Sequence, residues 1–355
     1  MADFGNSHTY IIPERIMYTY AMTSDETGFV PVAIALGGNI LVTIAKFLAA
    51  AFSGSSVLFS EAVHSSADTA NQILLLIGLQ RSQKKPDDEH DYGYGNERFF
   101  WALISACGIF FLGAGLTALH GIEALLHPTP IAFNWIIAAS LVFSAAVESY
   151  SFSTAFFAIQ KTFPDLGWQD QLRGADSSTL AVYLEDAVAI LGIIVAASAI
   201  SLSYYTNSPL WDALGSLVVA ALLALVAVIL IIKNRSYLLG KSMSQEMEAA
   251  IIEILNADPS VERVMDFKSS TVGWDVYRVK CEIEFNGDSL VREAYGGTGI
   301  REQYDQVRED FEAFKRFAAE YADRIPRLMG RKVDEMEKHI KAAYPSVRHI
   351  DIEIN

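Results

Sequence analysis

Apolar residues between about positions 29 and 233 gather into six long stretches, approximately 29–52, 56–80, 97–126, 131–160, 176–203 and 208–233. A helix needs roughly 20 residues to cross a hydrocarbon layer of about 30 Å, so each stretch is long enough to span one. Short polar breaks separate three pairs: Ser53-Gly54-Ser55, His127-Pro128-Thr129-Pro130 and Thr206-Asn207-Ser208-Pro209. These breaks contain neither Lys nor Arg. The two longer breaks carry Arg81, Lys84, Lys85, Lys161 and Arg173, and Lys233, Arg235 and Lys241 follow the last stretch. Because positive loops stay in the cytoplasm, both termini and both longer loops are predicted to face it, as an even number of spans allows.

The pattern changes after about residue 234. Met243–Ala257 is amphipathic and stops at Asp258-Pro259. A strand is predicted around Val261–Phe267. In the next one Tyr277, Val279, Cys281, Ile283 and Phe285 alternate with Arg278, Lys280, Glu282 and Glu284, as a half-buried strand requires. Residues from about 300 to 344 read as charged helix interrupted at Pro326 and Gly330. Ile350, Ile352 and Ile354 then alternate with His349, Asp351 and Glu353. The order α-β-β-α-β suits a small sheet covered by helices on one face. The expected organisation is a segment 1–28, a six-helix membrane domain 29–233, and an α+β ferredoxin-like cytoplasmic domain 234–355.

Composition narrows the function. The chain of 355 residues is 52% hydrophobic with a formal net charge of −15. An acidic surface argues against a nucleic-acid partner, which requires a basic one. The two cysteines, Cys107 and Cys281, form no CxxC pair, so both read as small core residues. No apolar run or Arg-rich leader precedes residue 29, which points to a prokaryotic plasma membrane.

The chemistry lies in ionisable groups inside the apolar stretches, where charge is costly and marks function. His64 and Asp68 in the second stretch are four residues apart, hence on one helical face, and Glu61 and Asn71 extend that stripe. One imidazole and one carboxylate make half of a tetrahedral metal site. The fifth stretch offers Glu185 and Asp186, with Asp176 nearer its start. Two adjacent carboxylates cannot both stay charged there without a partner, and a divalent cation shared with His64 and Asp68 would serve. The alternative is a buried His–carboxylate pair that only fixes helix packing. Glu148 in the fourth stretch is a candidate proton carrier or outer ligand, and Lys46 a structural partner for Glu61 or Glu148. Asp212 is placed to cap the sixth helix.

These residues resemble the cation diffusion facilitator family of zinc transporters. The resemblance rests on His64-x-x-x-Asp68, on the loop from Pro86 to Glu97, and on the His127-Pro128-Thr129-Pro130 break, and covers the chain from about residue 29 onward. Phe59–His64, Leu184-Glu185-Asp186, the charged insertion at about 286–330 and Val347–Ile354 are similar to the branch containing the animal mitochondrial zinc transporter. The resemblance implies a homodimer that exports metal from the cytoplasm in exchange for protons by alternating access. His64, Asp68 and Asp186 match three of the family's four transport ligands. The fourth position is Val182, so Glu185, Glu61 or water completes the shell. Some relatives bind zinc in the cytoplasmic loop through Asp, His and His; here Asp87 and His90 remain, but Tyr94 takes the third place. His349 and Asp351 match part of a two-zinc site in the soluble domain of some relatives.

The expected function is therefore transport of Zn²⁺ across a lipid bilayer. One imidazole with carboxylates also suits Mn²⁺, Fe²⁺ or Co²⁺, and the histidine tilts the choice toward zinc. Metal binding displaces protons from these ligands, and the imidazole titrates in the physiological range, so His64, with Glu148, is placed on the proton path. Two rivals come from other classes: a metal-sensing scaffold that does not transport, and an intramembrane metallohydrolase, for which the spans hold no HExxH motif.

Overall fold

A computed structural model describes residues 28–53, 56–127, 135–162, 164–206, 208 and 210–355. These residues form two compact units that divide between Leu239 and Gly240.

The first unit is helical. Its elements are α1 (Phe29–Ser53), α2 (Ser56–Ser82), α3 (Glu97–Gly108), a π-helical segment (Ile109–Ala114), α4 (Gly115–Leu126), α5 (Trp135–Thr162), the short α6 (Trp168–Gly174), α7 (Ser177–Thr206) and α8 (Leu210–Leu238). Among the described residues five helices are long and apolar enough to cross a membrane: Phe29–Phe52, Glu97–Leu126, Val142–Thr162, Ser177–Val195 and Ala213–Leu238. The second expected span is helical throughout α2, and its 27 residues are as long as its neighbours. It is set apart by a central polar run from Ser65 to Gln72. The chain is thus a multi-pass α-helical membrane protein with a β-containing C-terminal domain.

Small residues let these helices approach closely, as in other bilayer proteins. Ala102, Ala106, Ala155, Ala181 and Ala227 are all buried and interleave with Leu75, Leu79, Ile109, Val182 and Leu230 in one core. The outer faces carry Leu41, Leu48, Phe111, Leu119, Val142 and Ile232, all exposed, as lipid-facing positions should be. α2 packs against α1 and α3, and α7 against α5 and α8.

The second unit contains α9 (Gln245–Asn256), β1 (Val261–Gly273), β2 (Val276–Phe285), α10 (Gly287–Val307), α11 (Phe311–Ala343) and β3 (Val347–Ile354). The sheet order is β1-β2-β3. β1 pairs antiparallel with β2, and β2 parallel with β3, with Val279 opposite Ile350 and Cys281 opposite Ile352. Val279, Cys281 and Ile283 from β2 meet Ile251 and Leu255 of α9 and Met336 and Ile340 of α11 in the core. Burial pushes the Cys281 thiol up to about 11, so it remains an inert core residue.

Two expectations for this unit change. β1 continues past Phe267 to Gly273, because a bulge between Met265 and Lys268, with Asp266 at φ 45°, breaks the alternation that marked its end. Neither Pro326 nor Gly330 interrupts α11, which runs for 33 residues. The break falls instead before Phe311, where the Asp310 carboxylate accepts from the Glu312 amide at 2.9 Å. Packing of Leu328, Met336 and Ile340 carries the helix through the proline. Lys332 then ties α11 to Asp258 at 3.3 Å and to Glu293 of α10 at 3.0 Å.

Candidate functional site

Four carboxylates converge between α2, α5 and α7. Glu185 lies within electrostatic range of Asp68, Asp186 and Glu148, and Asp186 of Asp68 and Glu148. Glu185 and Asp186 are both buried, at 8% and 4% exposure, and Asp68 and Glu148 are half-buried. Ser151, one turn beyond Glu148 on α5, stands beside Asp186. Four of the residues singled out from sequence, Asp68, Glu148, Glu185 and Asp186, are therefore brought together. The side chains of His64, Glu61 and Asp212 lie outside those described. Among the described residues no three His, Cys, Asp or Glu side chains close around a metal.

Val182 is completely buried in the apolar core and cannot ligate. Glu185 follows it by three residues, and a helical side chain leans toward the N-terminal turn below it, so the Glu185 carboxylate hangs over the turn that carries Val182. Two amides hold it there. Gln72 Nε2 donates to Glu185 Oε2 at 2.9 Å, and Asn71 Nδ2 makes a longer contact of 3.5 Å to Oε1. Asn71 can stand there because α3 offers a glycine: a Cβ on Gly108 would lie 2.7 Å from Asn71 Oδ1. Two buried acceptors of the cluster, Gln72 Oε1 and Asp186 Oδ2, have no hydrogen-bond partner among the described residues. Unpartnered acceptors beside carboxylates suit a cation.

Sequence reasoning extended the His64–Asp68 stripe only by Glu61 and Asn71. The available signal was the spacing itself, since Gln72 continues the step of four from His64 through Asp68. Lys46 of α1 reaches across to α2: its ammonium, 6% exposed, donates to Ser65 Oγ at 2.9 Å. Next to it Thr43 and Thr69 share a hydrogen bond of 3.1 Å.

A second buried polar group lies where α3 and α7 begin. Arg98 Nη1 pairs with Asp176 Oδ1 at 3.3 Å, the side chains being 5% and 4% exposed. The other oxygen of Asp176 caps α7, accepting from the Ser178 and Thr179 amides at 3.1 Å each and from Thr179 Oγ1 at 3.3 Å. Gly28, at φ +94°, packs so tightly here that a Cβ would sit 2.5 Å from Asp176 Oδ2. Lys233 of α8 donates to the carbonyls of Leu172, Arg173 and Ala175 at 3.2, 3.3 and 2.7 Å, closing the end of α6. Tyr237 stacks on Phe99 at 4.6 Å. Arg98 escaped the sequence reading because a basic residue at a span's edge looks like a topology signal.

The two outlying metal candidates are internally neutralised. In the loop after α2, Lys84 Nζ donates to Asp87 Oδ2 at 2.6 Å and to the Tyr94 hydroxyl at 2.8 Å. That hydroxyl and the Glu89 and His90 amides also donate to Asp87, at 3.0, 3.2 and 3.1 Å. The Lys84 ammonium holds the Asp87 carboxyl down at about 2 and is itself pushed up by that bond. A lysine thus supplies the positive charge that a metal would bring. In the C-terminal unit Asp351 is gripped by Arg278 through Nε at 3.0 Å and Nη2 at 2.7 Å. Partial burial, with Arg278 and Arg348 nearby, pushes the His349 imidazole down.

Comparison with known proteins identifies a family and its relatives. The model of the cation efflux transmembrane domain matches residues 32–239. The chain is 39% identical over 335 residues to the mitochondrial proton-coupled zinc antiporter SLC30A9 of Xenopus laevis, covering 91% of this chain and 59% of that protein. It is 37% identical over 338 residues to the human protein of the same name, covering 92% and 58%. It is also 36% identical over 334 residues to metal tolerance protein C4 of Arabidopsis thaliana, covering 91% and 72%. The chain therefore spans about three fifths of the length of the two antiporters.

Proposed function

Because the chain belongs to the cation efflux family, whose members move ions and are not enzymes, we propose that it carries Zn²⁺ across a membrane in exchange for protons. The observation that carries the proposal is the meeting of Glu185 and Asp186 with Asp68 across α7 and α2, with Asp186 Oδ2 buried and unpartnered among the described residues. His64, one turn from Asp68, supplies the nitrogen ligand that tilts the site toward zinc over Mn²⁺, Fe²⁺ or Co²⁺. Glu185 or Glu61 adds a further carboxylate ligand to this set. The names of the zinc antiporters support zinc as the substrate and protons as the exchanged ion.

The exchange follows from ligand chemistry. Zinc binds a neutral imidazole and ionised carboxylates, so each binding event releases the protons those groups held. When the site opens to the acidic side, protons compete for His64 and the carboxylates and the metal leaves. Glu148, in range of both α7 carboxylates, is the group through which protons reach the cluster. Clustered carboxylates repel one another, so each proton taken up weakens the hold on the metal.

The proposal includes six spans with α2 as the second, both termini in the cytoplasm of a prokaryotic plasma membrane, a homodimer, and a ferredoxin-like tail. The lysines and arginines of the longer loops support the orientation. The α-β-β-α-α-β order of the tail, which is the ferredoxin-like α-β-β-α-β pattern with one further helix before β3, supports that reading.

The test is zinc-dependent proton flux in proteoliposomes holding the full chain, compared with Mn²⁺ and with Asp186→Ala. Zinc-driven flux that disappears in the variant is expected. Unchanged flux in the variant would remove Asp186 from the pathway, and no flux with any metal would leave a binding protein that does not transport.

A further inference from the structure

Gln72 is an amide in the middle of a membrane helix, completely buried, with only one of its two ends satisfied. Its Nε2 donates to Glu185 Oε2 at 2.9 Å, and its Oε1 has no hydrogen-bond partner among the described residues. The carboxylate fixes which end is which: turning the amide over would set Oε1 against Glu185, acceptor against acceptor. Both ends hang from one carbon, so Oε1 lies in the layer of the Glu185 carboxylate. A second buried oxygen without a partner among the described residues, Asp186 Oδ2, belongs to the same cluster. A buried carbonyl is normally met by a donor or an ion. Gln72 also shares its helical face with Asp68, one turn earlier.

We propose that Gln72 is a direct ligand of the transported divalent cation, its Oε1 supplying an oxygen in place of the donor that Val182 lacks. The residue then has two roles in one group. The nitrogen end keeps Glu185 turned toward the site, and the oxygen end enters the metal's shell. An amide oxygen ligates without carrying a proton at neutral pH, so this ligand adds affinity while adding nothing to the protons exchanged.

This inference rests on the transport-site reading above, and the experiment separates the two. The full-length protein in nanodiscs is loaded with Zn²⁺, and the light-atom neighbours of the metal are counted by zinc K-edge X-ray absorption. Half-saturation of zinc-driven proton flux is measured in proteoliposomes. Gln72→Met, of similar volume but without the oxygen, is expected to lose one neighbour and raise the half-saturating zinc concentration by about tenfold or more. Gln72→Glu keeps an oxygen at the same reach and is expected to keep the neighbour count. The proposal is overturned if Gln72→Met leaves the count unchanged. It is also overturned if Gln72→Glu loses the neighbour as Gln72→Met does, since the amide would then serve only as a donor to Glu185. Asp186→Ala is measured beside them: an unchanged half-saturation there overturns the transport site as a whole, whereas its loss together with a silent Gln72→Met overturns the ligand assignment alone.

Discussion

Removal of the Asp176 charge is a sharp test of how the membrane unit is held together. Asp176→Asn retains a side-chain oxygen able to cap α7, because Asn and Asp are nearly equal in that role. It removes a buried charged partner of Arg98, which is 5% exposed and has its Nη1 3.3 Å from Asp176 Oδ1. Breaking a buried pair from one side costs about 3–5 kcal/mol, because a charge is left without its counterion. Asp176→Ala loses the amide bonds of Ser178 and Thr179 as well, for about 1 kcal/mol more. Arg98→Met combined with Asp176→Asn removes both charges and keeps the volume, and such replacements are near neutral. The double variant should therefore be at least about 2 kcal/mol more stable than Asp176→Asn alone. The assay is unfolding of the full-length protein in detergent, followed by tryptophan fluorescence across all four corners of the cycle. If the costs of the two single variants simply add in the double variant, the ion pair is not what joins α3 to α7, and the reasoning fails.

Other outcomes follow from the same geometry. Gly28→Ala places a Cβ against Asp176 at a backbone angle of φ +94°, and should destabilise the protein by more than about 1 kcal/mol in the same assay. Gly108→Ala should displace Asn71 and shift the zinc concentration for half-maximal flux while leaving the helical content by circular dichroism unchanged. The His349 imidazole has a lowered pKa in the fold, so below its ordinary range near 6.5 the unfolded chain takes up a proton that the folded one resists. Stability of the C-terminal unit should accordingly fall as pH drops from 7.5 toward 5.5, and His349→Gln should flatten that slope in denaturant titrations. Cys281 should resist maleimide until this unit unfolds, since its thiol is buried and pushed up to about 11.

The sequence exposed the large features because their physics is periodic. A bilayer demands long apolar runs, and a half-buried strand demands alternation, so the membrane helices and β2 could be read directly. The tail helices were less legible. Pro326 is a strong local signal, yet it is overridden by the burial of Leu328 and by the packing of Met336 and Ile340 in the core. Asp68, Glu185 and Asp186 stood out because charge in a membrane is rare. Gln72 and Arg98 did not, for opposite reasons. A neutral amide raises no alarm beside carboxylates, and an arginine at a helix end has an ordinary explanation until its partner, in another helix, is known. The place of Lys84 in the loop was equally hidden, because nothing in a Lys-Lys-Pro-Asp stretch says which lysine folds back onto Asp87.

The π segment at Ile109–Ala114 makes one membrane crossing behave as two half-rods set at different angles about a common axis. Each bond in such a segment skips one residue more than in an α-helix, so the span reads as though one residue had been slipped into it, turning everything beyond by about 100°. Before the slip Ser105 and Gly108 look toward Asn71 on α2, and after it Gly121 lies against Leu217 and the Ala213 carbonyl of α8. No proline is needed for the change of face, and no backbone break is left exposed to lipid.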